Sequence, residues 1–445
     1  MNNQSILAAP NLLNEAEALS VVEAVIKQSQ AEGVFVKLTA SESALSRFSE
    51  NQISQNICRD RFKVKITSYF GKQSASVATT ELDPDAIQAA IRRSEELARF
   101  APEDPEWVPL LPPQTYSDRT PGFDPETAQI TPLQRGEKIQ QICQKSRKAG
   151  VDGSGTLSTT ASLLAIGNSL GLRACEKVTE ADFSYTARQD NGSSWSRNSG
   201  IAIKDLPLTQ TTEKVIETAR RSRNPREVKP GIYPVIFDAA AFASLLPWVI
   251  WNLDARSADE KRSFMSTENS NLLGQQIFSP LVQVKRDPAH PLLQSSTFFN
   301  DGIPNNYLEI IKDGIPQTLS YSRYWAQTKN QQPTGYFSPI LMNGSNASIN
   351  DLIAQTERGI LVNRAWYVRY VNPKTLEVTG MTRDGTFLIE DGQIAYPIKN
   401  LRFNQILPEM LRDIDALSKV QRISSGIIPG VRVKAFNFSS VTDSV

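Results

Sequence analysis

Four Asp-Gly pairs within residues 229–445 constrain the fold of this chain more than any other feature: Asp301-Gly302, Asp313-Gly314, Asp384-Gly385 and Asp391-Gly392. Asp and Gly both tolerate the positive φ angles of a two-residue hairpin turn, so Asp-Gly between alternating apolar and polar residues is a strong short-range hairpin signal. Two pairs sit in that setting. Tyr307 to Ile311 returns as Gln317 to Tyr321, and Thr386 to Ile389 returns as Ile394 to Ile398. The spacing predicts a large antiparallel sheet, or a barrel-like closure of one, packed by helices at Ala239–Leu253 and Leu407–Leu417.

The residues before this region mix the two periodicities. Val21, Val22, Val25 and Ile26 recur at helical spacing in Asn14 to Gln28, and Gly33 stops them. Val34 to Thr39 reads as a strand. Phe62 to Thr67 alternates, turns at Gly71-Lys72 and returns as Ser74 to Thr79. Asp83-Pro84 supplies an N-cap and a first-turn proline for a helix whose inner stripe is Ile87, Ala90, Ile91, Leu97 and Ala98, ending before Pro102. Eight prolines in residues 102–132 mark a linker. Thr131-Pro132 opens another helix to Ala149, strands follow from Gly155 to about Tyr185 with a turn at Asn168 to Gly171, and a helix starts near Thr211. The expected fold class is α+β. Its units are an N-terminal α/β domain (1–105), a linker with a second α/β segment (106–228) and a β-rich C-terminal domain (229–445), in keeping with 445 residues forming two or three cores.

Composition narrows the chemistry. His290 is the only histidine, so a Ser-His-Asp triad has one base to draw on, and a zinc site with two imidazoles one helical turn apart cannot form within the chain. His290 itself reads as a loop or packing residue. Cys58, Cys143 and Cys175 are far apart and include no Cys-x-x-Cys pair. Cys143 follows Ile139 by four residues and reads as core, and the odd number of cysteines suits free thiols in a reducing compartment. With 48 basic and 47 acidic residues, the chain is not suited to direct contact with nucleic acid or to a membrane surface. Arg92-Arg93 and the arginines of Ala219 to Arg223 read as solvated helix faces. Met1 to Ser5 lacks the basic start and apolar run of a signal peptide. The most apolar window, Phe237 to Leu253, is broken by Asp238, Ser244, Pro247 and Asn252 and is too short to span a bilayer. The expectation is a soluble, cytoplasmic protein.

The order of several segments carries a likeness. They are Arg47 to Ile53, the hairpin Lys63 to Ala78, Leu82-Asp83, Asn168 to Leu172, Pro230-Gly231-Ile232-Tyr233-Pro234-Val235-Ile236-Phe237, Val371-Asn372-Pro373, Gly385 to Gly392 and Pro397 to Asn400. Together, across roughly residues 15–440, the chain resembles the TldD/PmbA family, bacterial and archaeal proteins linked to peptide maturation and named modulators of DNA gyrase. The resemblance implies a zinc peptidase in the active branch, with an HExxxH helix after the Pro-Gly-x-x-Pro-Val strand and a cysteine ligand near the C-terminus. Leu245-Leu246, set on the apolar pair before that motif, puts Pro247 at the first His, Trp248 at the Glu and Asn252 at the second His, and Ser418 to Gly430 holds no cysteine. Proline and tryptophan neither ligate zinc nor accept a proton, and asparagine is a poor ligand beside imidazole.

The helix pattern survives without the motif. Phe242, Leu245, Leu246, Val249, Ile250 and Leu253 form one stripe with Asp238 as N-cap, and Pro247 inside it should kink the helix at a cost of ~3 kcal/mol. One reading makes this a packing element; another makes Trp248 and Trp251 an aromatic lining for a peptide cleft. The resemblance implies a TldE-like, non-catalytic subunit without metal or other cofactor, paired with a zinc-bearing homologue or with itself, around a chamber for unfolded peptide. Strand addition to the β-rich region would bind such a peptide. Two alternatives stand beside this. One is a peptidase or hydrolase with a non-zinc site near Arg383-Asp384, which as a turn pair is ordinarily a surface ion pair but in a chamber can hold a peptide carboxylate bidentately. The other is a stand-alone interaction protein of the gyrase-modulator kind.

Overall fold

Alternation with period two writes the first sheet directly into the chain. The computed structural model describes residues 12–423 and 426–442, so the reading of Met1 to Ser5 lies outside the described residues. Six strands, β1 (Gly33–Ser49), β2 (Gln52–Phe70), β3 (Gln73–Thr79), β4 (Asp152–Asn168), β5 (Arg173–Gln189) and β6 (Gly192–Gly200), pair antiparallel in the order β3-β2-β1-β4-β5-β6. Residues 1–105 and 106–228 thus contribute three strands each to one sheet, joined where Ala40 of β1 lies opposite Leu163 of β4.

Helices cover one face of this sheet. Glu15–Gln28 and Pro84–Phe100 press Ala18, Val22, Val25, Ile87, Ala90 and Ile91 onto Val34, Val36, Leu38, Val64, Ile66, Leu163 and Ala165. Pro132–Lys148 and Leu208–Arg221 bring Ile139, Ile142, Cys143, Val215 and Ile216 onto Phe48, Leu157, Phe183 and Tyr185. Each large aliphatic or aromatic side chain so buried contributes about 1.5–3 kcal/mol. The expected caps form: the side chains of Asp83 and Thr131 accept from the backbone of Ala86 and Gln134, with proline in the first turn of each helix. Leu97 departs from expectation. It points to solvent, while Ser94 and Glu95 occupy the inner face, because Ser94 hydrogen-bonds Ser68 and Glu95 accepts from Ser29 and Gln30. Among the described residues the opposite sheet face carries no helix. It presents Thr39, Ser41 and Ser43 of β1 and Thr156, Ser158, Thr160 and Ser162 of β4, all half-buried.

The proline-rich segment forms a packed strap between the two sheets. Glu106 binds Arg256 bidentately at 2.7 and 3.0 Å. Tyr116 donates to the Gly302 carbonyl at 2.8 Å, the Asn168 amide donates to the Leu111 carbonyl, and Arg119 reaches the carbonyls of Ser295 and Ser296.

The second sheet has thirteen strands: β7 (Gly231–Phe237), β8 (Val284–Arg286), β9 (Leu308–Lys312), β10 (Ile315–Pro316), β11 (Ile340–Met342), β12 (Arg358–Val362), β13 (Ala365–Asn372), β14 (Glu377–Thr382), β15 (Thr386–Glu390), β16 (Gln393–Pro397), β17 (Asn400–Ile406), β18 (Ile414–Ile423) and β19 (Gly426–Thr442). Its main path runs β10-β9-β8-β11-β19-β7-β12-β15-β16, with β13, β14, β17 and β18 branching from β19. Among the described residues the path is open at both ends, and the fold is α+β without a closed barrel. Asp313-Gly314 and Asp391-Gly392 make hairpin turns with all four residues at positive φ, as the two-residue turn demands. After the first turn only Ile315–Pro316 returns as strand. Gln317 still donates to the Ile310 carbonyl at 2.9 Å, after which the chain turns away and Ser320 bridges to Asp254 instead.

The expected kinked helix at Ala239–Leu253 is instead two short helices, Ala239–Phe242 and Leu246–Trp251. The break places Pro247 in a first turn, where its missing N–H costs nothing and the ~3 kcal/mol interior penalty is avoided. The apolar stripe is intact: Phe242, Leu245, Leu246, Val249, Ile250 and Leu253 are all fully buried in the C-terminal core. The helix expected at Leu407–Leu417 stops at Arg412, and β18 takes the remainder. Among the described residues no helix is long and apolar enough to cross a membrane.

Candidate functional site at the divided helix

Trp248 and Asn252 stand one turn apart on the second short helix and its C-cap, with Pro247 in that helix's first turn. The first half is anchored by Asp238, whose Oδ1 accepts from the Ala239 N–H at 2.7 Å while Oδ2 receives Lys214 at 2.7 Å. Trp248 packs on the core, and its ring meets that of Tyr370 edge-on with centroids 4.7 Å apart. The Asn252 amide donates to the Trp248 carbonyl at 2.7 Å and to the Tyr370 hydroxyl at 2.9 Å. Trp248, Asn252 and Tyr370 therefore form one closed cluster. Tyr370 was missed in the sequence, and the only signal for it is the aromatic content of Trp366-Tyr367-Val368-Arg369-Tyr370.

This cluster does not fit zinc. The amide nitrogen of Asn252 is spent on two acceptors, proline and indole offer no lone pair for a metal, and zinc needs thiolate, imidazole or carboxylate donors. Among the described residues no group of three or more His, Cys, Asp and Glu stands together. His290 accepts from the Leu292 N–H at 3.2 Å within its own turn. Cys143 is buried and Cys58 exposed. Burial pushes the Cys175 thiol up to about 12 and raises that of Cys143.

Trp251, at the end of the same helix, is 65% exposed. The neighbouring strand β13 exposes Tyr367, Tyr370 and Val371 and pairs with β14 alone among the described strands. Its second edge is thus open beside an aromatic surface.

Arg383 and Asp384 occupy the loop between β14 and β15, where Asp384 and Gly385 take positive φ. Asp384 is not a surface residue: its side chain is 2% exposed. Its Oδ2 lies 2.5 Å from Arg364 Nη1 and 3.8 Å from Arg383 Nε, and its Oδ1 accepts from the Ser193 hydroxyl at 2.9 Å. Arg364 stacks on Trp195 at 4.1 Å and Arg383 on Trp366 at 4.3 Å. Ser193 and Trp195 belong to β6, so this carboxylate ties the two sheets together. Trp366 and Tyr370 share β13, which puts the Arg383 group and the Trp248 group about 13 Å apart at ~3.3 Å per residue, less where β13 bulges.

Comparison with known proteins agrees with this architecture. Residues 230–440 match the model of the PmbA/TldA metallopeptidase C-terminal domain. Metalloprotease PmbA of Escherichia coli O157:H7 is 24% identical over 96% of this chain and 97% of its own length. The crystal structure of TldE from Thermococcus kodakarensis superimposes with a TM-score of 0.85 at 18% identity, covering 95% of this chain and all of that one. That of a Bacteroides thetaiotaomicron protein described as a candidate modulator of DNA gyrase does so at 0.86, again at 18% identity, over 97% of this chain. The matching domain model, the relative aligned along nearly its whole length and the shared fold agree with the ordered segments read from the sequence: residues 230–440 carry the PmbA/TldA metallopeptidase C-terminal domain, and the chain as a whole is similar to proteins of the TldD/PmbA family.

Proposed function

We propose that this chain is the non-catalytic member of a peptidase pair and helps enclose a chamber that receives unfolded peptide. The observation that carries the reading is the Trp248–Asn252–Tyr370 cluster, which fills the metal-motif positions with packed aromatic rings and a satisfied amide. Cleavage would then come from a zinc-bearing homologue. This chain contributes wall, and the exposed Trp251, Tyr367, Tyr370 and Val371 beside the open edge of β13 offer a surface for an extended peptide. A second reading, a peptidase in its own right, draws on the name metalloprotease carried by the PmbA relatives. The test is elemental analysis of the dialysed protein together with peptidase assays on unstructured peptides, alone and after co-expression with a homologue bearing HExxxH. The proposal expects no stoichiometric zinc, no cleavage alone, and co-purification with the homologue in a complex that cleaves. Close to one zinc per chain, or chelator-sensitive cleavage by the chain alone, overturns it.

A further inference from the structure

The helix-free face of the first sheet is charged unevenly. From Gln55 to Lys65, β2 sends every second side chain to that face, so Arg59, Arg61, Lys63 and Lys65 stand in one row. Lys37 of β1 lies directly opposite Lys65, and Arg47 opposite Gln55. None of these six cations forms an ion pair among the described residues. The acids of the hairpin point the other way: Glu42 faces Asp60 across the ladder on the helix-covered side. There, burial and then the neighbouring Asp60 carboxylate raise the Glu42 carboxyl above its usual range. The acids on the open face stand away from the row: Asp152 is at the far end of β4, and Glu176, Glu180 and Asp182 lie two strands beyond β1 on β5, where Glu176 accepts from Thr297 and Asp182 is paired with Arg197 at 2.7 Å. Burial, then the charges of Lys65 and Lys63, lower the Lys37 ammonium, so the cationic row is crowded and lacks counter-charge.

The same stretch of β2 is a free strand edge. On the side away from β1, β3 pairs only from Val64 onward. Between Gln55 and Lys63 the outward N–H and C=O groups therefore have no strand partner among the described residues. Cations on an edge strand can simply discourage edge-to-edge pairing. That role needs neither one sign of charge nor one face, whereas here the cations are sorted onto one face and the acids onto the other.

We propose that the β2 edge between Gln55 and Lys63 is a docking site for an acidic, extended peptide segment, which adds as a further strand and sets a carboxylate at every second residue beside Arg59, Arg61 and Lys63. Same-face side chains along an added strand recur every ~6.8 Å, matching the spacing of the row it faces. Backbone hydrogen bonds supply sequence-independent affinity and the cations select charge. The inference names a peptide class for the chamber reading above, but binding by the chain alone needs neither a homologue nor cleavage, so the two can fail separately.

The experiment uses the full chain and labelled eight-residue peptides that alternate Glu with Thr, Gln with Thr, or Lys with Thr, read by fluorescence anisotropy. The Glu peptide should bind at least tenfold more tightly than the Gln peptide, weaken as salt rises, and lose roughly tenfold in the variant R59Q/R61Q/K63Q, as three exposed charge pairs would. A Glu peptide with proline at the alternate positions keeps the charge but not the strand, and should not bind. Equal binding of the Glu and Gln peptides, an unaffected triple variant, or full binding of the proline peptide each overturns the proposal. So does binding of an oligothymidylate by the same residues when the Glu peptide does not bind, which would make the row a nucleic-acid surface.

Discussion

Replacing Asp384 should loosen the junction between the two sheets more than any other single polar change. The carboxylate is 2% exposed and serves Arg364, Arg383 and Ser193 at once. Asp384→Ala takes the 2.5 Å counter-charge from Arg364 and the 3.8 Å one from Arg383, and breaking one partner out of a buried pair costs ~3–5 kcal/mol. Both arginines keep some solvent, with side chains 22% and 17% exposed, and both keep a tryptophan ring beneath them, so the lower end, about 3 kcal/mol, applies. For a C-terminal unit of this size about 1 kcal/mol moves the melting temperature by ~2–4 °C, giving a drop of about 6–12 °C. Asp384→Asn keeps the shape and an acceptor for Ser193 and should lose about half as much. Tryptophan fluorescence is the natural assay, because Trp195 and Trp366 stack on the arginines concerned and report the junction directly. A drop under ~2 °C for Asp384→Ala, with fluorescence unchanged, would refute the claim that this carboxylate holds the sheets together.

Burial raises the Glu176 carboxyl despite its hydrogen bonds from Thr297. A raised folded-state value means stability fully present below the unfolded value near ~4.3 and lost as pH rises through the folded one. Glu176→Gln should therefore melt above the parent at pH 8, with the gap closing toward pH 4, as scanning calorimetry would read. Gly314→Ala should destabilise far more than Gly71→Ala. Both glycines have positive φ, but a Cβ at Gly314 would sit 2.3 Å from the Phe278 carbonyl, whereas at Gly71 it meets nothing within 4 Å. The first loss should exceed ~2 kcal/mol and the second stay near ~1 kcal/mol in denaturant titrations. A disulfide thiol reagent should label Cys58 within minutes and leave Cys143 unreacted until the protein is unfolded, since only Cys58 is exposed.

Local rules survived wherever the chemistry was local. Asp83-Pro84 and Thr131-Pro132 start helices because cap and proline act within four residues. Asp313-Gly314 and Asp391-Gly392 turn because their φ angles are intrinsic preferences. What depended on distant partners was not legible. Leu97 looked like core by spacing, yet Ser68, Ser29 and Gln30 decided that Ser94 and Glu95 face inward. Arg383-Asp384 had the look of a surface turn, and only the arrival of Ser193 from the other sheet buries it. In the candidate site, Pro247, Trp248 and Asn252 were named from the sequence. Tyr370, which closes the cluster from 118 residues away, left no trace in spacing.

The seam between β1 and β4 bears on how the chain is made. Ala40 waits for Leu163, and Phe35 for Asn168, so one side of β1 has no partner until some 120 more residues have left the ribosome. At ~5–20 residues per second that interval is roughly 6–24 s, during which the hairpin of β1 and β2 exists with an unpaired apolar-polar edge. Non-local pairing of this kind slows folding and invites pairing with other chains. The helix Pro84–Phe100, whose cap and amphipathic stripe are complete before β4 is made, can cover the apolar face of the hairpin in the meantime. Nascent chains truncated near residue 105 should accordingly stay soluble with that helix intact, and should aggregate when its inner stripe is made polar.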